Sequence, residues 1–94
     1  MSIRVVRFTG VAPERVEGLQ AELDESEGPP EGVDSTGMQF LYDADQQTAI
    51  VIQHFESREK LDSSEAALER MDPSETPGTR ASVDRCEVIA EMSA

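Results

Sequence analysis

Few side chains in this sequence are equipped for chemistry, and they are scattered. His54 is the only histidine, and an imidazole is a side chain suited to proton transfer. Cys86 is the only cysteine; no helix start is evident there to lower its pKa, so it reads as a buried small hydrophobe. Asp43 and Asp45 share one turn segment, where two acids serve either a metal or the turn itself, and turn chemistry is the expectation. Arg4, Gln39 and Gln53 are polar groups set inside apolar runs. The chain has no nucleophile triad, phosphate loop or metal-ligand spacing, and no cofactor is expected.

The elements that must position these groups centre on Gly37 to Ser57, GMQFLYDADQQTAIVIQHFES, which holds three of the four aromatic residues. Met38, Phe40 and Tyr42 alternate with Gln39, Leu41 and Asp43. After a turn over Asp43–Gln47, Ile50, Ile52 and His54 alternate with Ala49, Val51, Gln53 and Phe55. A turn centred near Asp45 and Gln46 places Tyr42 opposite Ile50, Phe40 opposite Ile52, Met38 opposite His54 and Gln39 opposite Gln53.

Ahead of this hairpin, Ile3 to Phe8 is a compact β-branched run and reads as a first strand. Pro13 then suits the first position of a helix, with Val16, Leu19 and Leu23 on one stripe and Arg15, Glu22 and Glu25 opposite. Gly18 either weakens this helix or lets it approach the sheet. Ser26 to Thr36 is rich in Pro, Gly and acid and reads as a long mobile loop. Beyond the hairpin, Ser57 starts a second helix, with a second start or kink at the Asp62/Glu65 capping box. Its stripe is Leu61, Leu68 and Met71, and Asp72-Pro73 stops it. Val83 to Met92 alternates again and reads as a final strand.

The totals bound the class. Residues 1–94 are expected to be one domain. A chain this short buries only about 60–65% of its unfolded surface, and with no disulfide or zinc cluster available, association is the remaining source of stability. Net charge is −12, and of the eight basic residues only Lys60 is lysine. Nucleic acid and anionic membranes both need a basic footprint, so neither is expected as a partner. Such acidity, nearly free of lysine, fits a cytoplasm of high salt, where screening removes the self-repulsion. No apolar stretch is long enough to span a bilayer, and a cytoplasmic protein is expected.

The order strand, helix, strand, strand, helix, strand predicts a ferredoxin-like α+β fold, βαββαβ: a four-stranded antiparallel sheet with two helices on one face. Both parity sets of the strands are largely apolar: Ile3, Val5, Met38, Phe40, Tyr42, Ile50 and Ile52 in one, Val6, Phe8, Leu41, Val51 and Phe55 in the other. A sheet with one wet face should alternate cleanly, so the second face predicts a symmetric homodimer.

The order of elements, the GMQFLYDADQQTAIVIQHFES hairpin entering an acidic helix, and the closing VDRCEVIAEM strand resemble the dimeric α+β-barrel superfamily, in particular antibiotic-biosynthesis-monooxygenase-like domains. The likeness spans essentially the whole chain. Its most recognisable motif is Phe55-Glu56-Ser57, where many relatives have an aromatic, usually tryptophan, then an acidic or polar residue and serine. The resemblance implies a cleft between sheet and helices that binds small aromatic or polyketide-like molecules, or haem. Some relatives oxidise their ligand without metal or flavin. Haem-degrading relatives carry an asparagine near the position of Arg4 and a ligating histidine on the second helix. Arg58 to Met71 contains no histidine, which argues against haem degradation.

Phe55 matches the cleft-lining aromatic, and the resemblance thereby places its parity set under the helices. Gln53 follows by parity and Gln39 by the hairpin register. Arg4, Gln39, Gln53 and Phe55 then converge on one end of the helix-facing side, suited to a flat ligand bearing carboxylate, phenolate or carbonyl oxygens. The alternative is a solvated polar rim. The other set, Met38, Phe40, Tyr42, Ile50, Ile52 and His54, becomes the dimer interface, which turns His54 from proton carrier into interface residue. Tyr42, Arg7 and Arg85 fall at the far end of that same face. Two functions compete: a monooxygenase-like enzyme acting on an aromatic or polyketide-like ligand, and a non-catalytic dimeric ligand-binding or stress-accessory module.

Overall fold

Short β-branched runs alternate with two amphipathic segments to give β1 (Ser2–Thr9), α1 (Pro13–Glu25), β2 (Gly37–Asp43), β3 (Thr48–Phe55), α2 (Arg58–Glu69) and β4 (Thr79–Glu87). The computed structural model describes residues 1–26, 28, 32–70 and 77–93. The four strands form one antiparallel sheet in the order β2-β3-β1-β4. The chain has the ferredoxin-like βαββαβ fold that the order of elements predicts.

Local chemistry sets the helix ends. Pro13 opens α1, where its missing N–H leaves no bond unmade. Gly18 faces open space, so it is not a point of close approach. Ser57 caps α2, its Oγ accepting the Lys60 N–H at 3.2 Å. The kink expected at Asp62 is absent. Helix α2 runs unbroken, and Asp62 pairs with Arg58 one turn earlier at 3.0 Å. The expected stop at Asp72-Pro73, and Met71 before it, lie outside the described residues. Strand β4 runs from Thr79 to Glu87 rather than from Val83 to Met92.

The hairpin carries the main correction. Tyr42 pairs with Ala49, Phe40 with Val51 and Met38 with Gln53, one residue away from the expected register. The cause lies in the turn. Asp43 Oδ1 accepts the backbone N–H groups of Asp45 and Gln46 at 3.1 and 3.2 Å, and Gln47 adopts a left-handed backbone with φ 48°. Asp43 and Thr48 close the loop, leaving Ala44–Gln47 between the strands. Because side chains alternate with period two, the shift moves all of β2 to the other face. Met38, Phe40 and Tyr42 lie under the helices rather than on the helix-free face, and Gln39 lies on the helix-free face rather than under the helices.

Two apolar clusters fill the helix-covered side. Val6, Phe8, Val11 and Ala49 form one, with Val16, Phe40, Tyr42, Val51 and Val83 packed around it. Val33, Phe55, Leu61 and Leu68 form the other, beneath α2. The end of the loop before β2 is held in place: Val33 is buried, the Asp34 N–H donates to Ser64 Oγ at 2.9 Å, and the Thr36 N–H donates to the His54 carbonyl at 2.8 Å. The helix-free face presents Ile3, Val5, Leu41, Ile50 and Ile52, with His54 and Arg7; all are half-buried except Leu41, which is exposed.

Strand β4 contains a bulge. Val83 pairs with Val6, but Arg80 rather than Ala81 pairs with Phe8. The extra residue brings Arg80 to the helix-facing side along with Val83 and Arg85, although its parity differs from theirs.

Candidate functional site

Across the sheet, Met38, Gln53, Arg4 and Arg85 are successive neighbours in one row, next to a row of Phe40, Val51, Val6 and Val83. The polar row lies between the two apolar clusters, on the side the helices cover. There the sheet, α1 and the end of α2 enclose a cleft of about 610 Å³. Val6, Phe8, Phe40 and Val51 form its floor, and Leu19 and Leu23 of α1 overhang it. Helix α1 stands away from the sheet here: Leu19 is buried, while Leu23 remains 37% exposed.

Arg4 and Gln53, directly opposed on β1 and β3, are the buried polar groups of the cleft. A guanidinium only 5% exposed requires counter-charge. Helix α2 supplies it: Arg4 Nη2 donates to Glu69 at 3.2 Å, and Nε lies 3.5 Å from Glu65 without forming a hydrogen bond. Both glutamates also have a partner on β4. Arg80 Nη1 donates to the two Glu69 oxygens at 2.9 and 3.0 Å, and Arg85 Nε donates to Glu65. Among the described residues, the Gln53 amide and Arg4 Nη1 have no side-chain hydrogen-bond partner.

The network joins three arginines to two glutamates, giving a local excess of one positive charge in a chain of net charge −12. Hydrogen bonds from Arg80 hold the Glu69 carboxyl below its ordinary value against the opposing effect of desolvation. The hydrogen bond to Glu65 raises Arg85 further.

Of the residues expected to bind a ligand, the structure brings Arg4 and Gln53 together at the cleft. Phe55 shares their face but is fully buried against Val33, Leu61 and Leu68, outside the cleft wall. Gln39 faces away, for the register reason above. The expected interface set is also divided. Ile50, Ile52 and His54 remain on the helix-free face, whereas Met38, Phe40 and Tyr42 belong to the cleft and its adjoining core. Arg7 is on the helix-free face, but Tyr42 and Arg85 are not.

Cys86 is exposed rather than buried, because it lies on an edge strand with its side chain on the helix-free face. Asp43 serves the turn as expected. Hydrogen bonds from the Gln46 side chain and backbone hold its carboxyl below the ordinary value. Among the described residues, no group of three or more side chains could hold a metal ion. No helix among them is long and apolar enough to cross a membrane.

Sequence inspection missed Glu65, Glu69 and Arg80. One signal was present: two glutamates four apart on a helix repel each other, which calls for a cation between them. Arg80 gave no such signal, because only the bulge turns it to this face.

No protein-family model matches the chain, and no curated protein matches it. Two solved structures share its architecture over nearly their whole length. The structure of Rv0793 from Mycobacterium tuberculosis is 21% identical, with a TM-score of 0.64 over 98% of each chain. The R26S mutant of MhuD, crystallised with two manganese protoporphyrin IX molecules per active site, is 18% identical, with a TM-score of 0.65 over 100% of each chain. The chain thus shares its ferredoxin-like βαββαβ fold with these two proteins.

Proposed function

We propose that the chain is a small-molecule-binding, monooxygenase-like protein that takes an aromatic or polyketide-like ligand into the cleft between α1 and the sheet and acts on it without metal or flavin. The cleft is the observation that carries this reading. Its volume of about 610 Å³ is in the range of organic-ligand sites, and its apolar lining with two converging polar groups is what such sites share. A similar fold accommodates flat macrocycles in MhuD, which supports a flat ligand here.

The test is a thermal-shift series with aromatic and polyketide-like compounds. A ligand at about a hundred times its Kd should stabilise the wild type by about 2.7 kcal/mol, and Gln53→Ala should respond less. No response from wild type, or an equal response from the variant, rejects the cleft as the site.

A second reading, a non-catalytic ligand-binding or stress-accessory module, has its own support. Among the described residues, the ionisable groups lining the cleft are Arg4 and Glu22. Arg4 cannot accept a proton, and Glu22 is exposed on α1. Oxygen consumption by the protein with its ligand bound separates the two: uptake above the ligand-only rate identifies an enzyme.

We further propose that two copies associate through the helix-free face, burying Ile3, Val5, Leu41, Ile50 and Ile52 of each. His54 borders this patch, in register with Ile3. The net charge of −12 favours assembly in a cytoplasm of high salt.

A further inference from the structure

We infer that the cleft selects an apolar monocarboxylic acid, whose carboxylate takes the Arg4 guanidinium in place of Glu69 while Arg80 retains Glu69. This rests on the cleft being a ligand site and adds the chemical class of the ligand.

The argument starts from which arginine each glutamate can spare. Glu69 accepts two hydrogen bonds from Arg80, at 2.9 and 3.0 Å, but one longer bond from Arg4, at 3.2 Å. Its side chain is 42% exposed and sits on the outer side of the network. Losing Arg4 therefore does not leave it an unpaired charge. Glu65, with its side chain 15% exposed, stays beside Arg4 Nε and is held by Arg85. Arg4 is the surplus cation, and it is the arginine that lines the cleft.

The edge that becomes available has a defined shape. Release of Glu69 frees Nη2, and Nη1 has no partner among the described residues. Together these nitrogens form the planar fork that grips a carboxylate with two parallel hydrogen bonds. The Gln53 amide, which has no side-chain hydrogen-bond partner among the described residues, lies opposite on β3 and on the same buried face. Beyond the fork, Val6, Phe8, Phe40, Val51 and Leu19 require the rest of the ligand to be apolar.

Charge balance narrows the class. Among the described residues, Arg4 is the one cation lining the cleft, and the exposed Glu22 of α1 lines it too, so the site favours no more than a single negative charge. A phosphate dianion would bring two negative charges beside Glu65 and Glu69. A phenol is neutral at pH 7 and gains little from the cation.

Calorimetric titration with 2-naphthoate and with its neutral methyl ester tests this at fixed ionic strength. Wild type should bind the acid about tenfold tighter than the ester. Glu69→Gln removes the competitor for Arg4 and should strengthen acid binding several-fold while leaving the ester unchanged. Arg80→Gln should weaken acid binding, because Glu69 then falls back on Arg4. Arg58→Gln, the same charge change on α2 away from the cleft, should have little effect. These substitutions are at exposed residues, and circular dichroism checks that each variant folds. If the ester binds wild type as well as the acid, or if the variants leave the acid-to-ester ratio unchanged, carboxylate selection is wrong while the cleft stands. If neither probe binds, the cleft itself fails, and this inference with it.

Discussion

The Tyr42 hydroxyl donates to the Val11 carbonyl at 2.7 Å, tying the end of β2 to the segment that leads into α1. Val11 is fully buried, so its carbonyl has no water to fall back on. Tyr42→Phe should cost about 1–2 kcal/mol. The urea midpoint should fall with the slope unchanged, since the surface exposed on unfolding is the same.

That bond also shows why one part of the fold was legible in the sequence and another was not. The six elements follow from local periodicity, from Pro13 at a helix start and from Ser57 as a cap, and all but β4, which lies four to five residues earlier, appear close to their expected places. The face of β2 depends instead on one backbone angle at Gln47, a residue whose type does not announce a left-handed conformation. A second clue favoured the observed register: Met38, Phe40 and Tyr42 are the bulkiest set on β2, and burial against the helices needs only one chain. The polar end of the cleft was half legible. Arg4 and Gln53 follow from parity once the family resemblance puts the Phe55 set under the helices, but Arg80 and Arg85 reach Glu69 and Glu65 across separations that carry no periodic signature.

Phe55 separates packing from binding. It is fully buried in the cluster under α2, so Phe55→Ala should cost about 3–5 kcal/mol. Phe55→Leu keeps the cluster filled and should leave ligand affinity at its wild-type value. A large loss of affinity in a stably folded Phe55→Leu variant would place Phe55 in the site after all.

Acid should weaken the arginine network in a defined window. The folded Glu69 carboxyl titrates below its ordinary value near 4.5, chiefly through hydrogen bonds from Arg80. Its stabilisation is fully present above that ordinary value and disappears as pH falls through the lower folded one. Because the side chain is partly exposed and screened, the contribution is no more than about 1 kcal/mol. Between about pH 5 and pH 3, urea midpoints should fall less steeply for Glu69→Gln than for wild type. Parallel curves would show that the pairing stabilises nothing.

Association through the helix-free face makes a paired prediction. Ile52→Asp should give a folded monomer, because Ile52 points away from the helices. Val51→Asp, one residue earlier and facing the core, should unfold the chain. Two chains of −12 bring −24 together, so wild type should also dissociate as salt is removed. Light scattering with circular dichroism reads all three outcomes, and a wild-type monomer at high salt ends the proposal.

The bulge in β4 has a consequence beyond the placement of Arg80. Strand β4 is an outer strand, and an outer strand with an unbroken ladder is a template on which another polypeptide can zip up. The break opposite Arg7 and Phe8, with Arg80, Asp84, Arg85 and Glu87 along the strand, spoils that template. Lateral growth along this margin is discouraged, which suits the proposed face-on-face association, a mode that ends at two instead of propagating into a fibre.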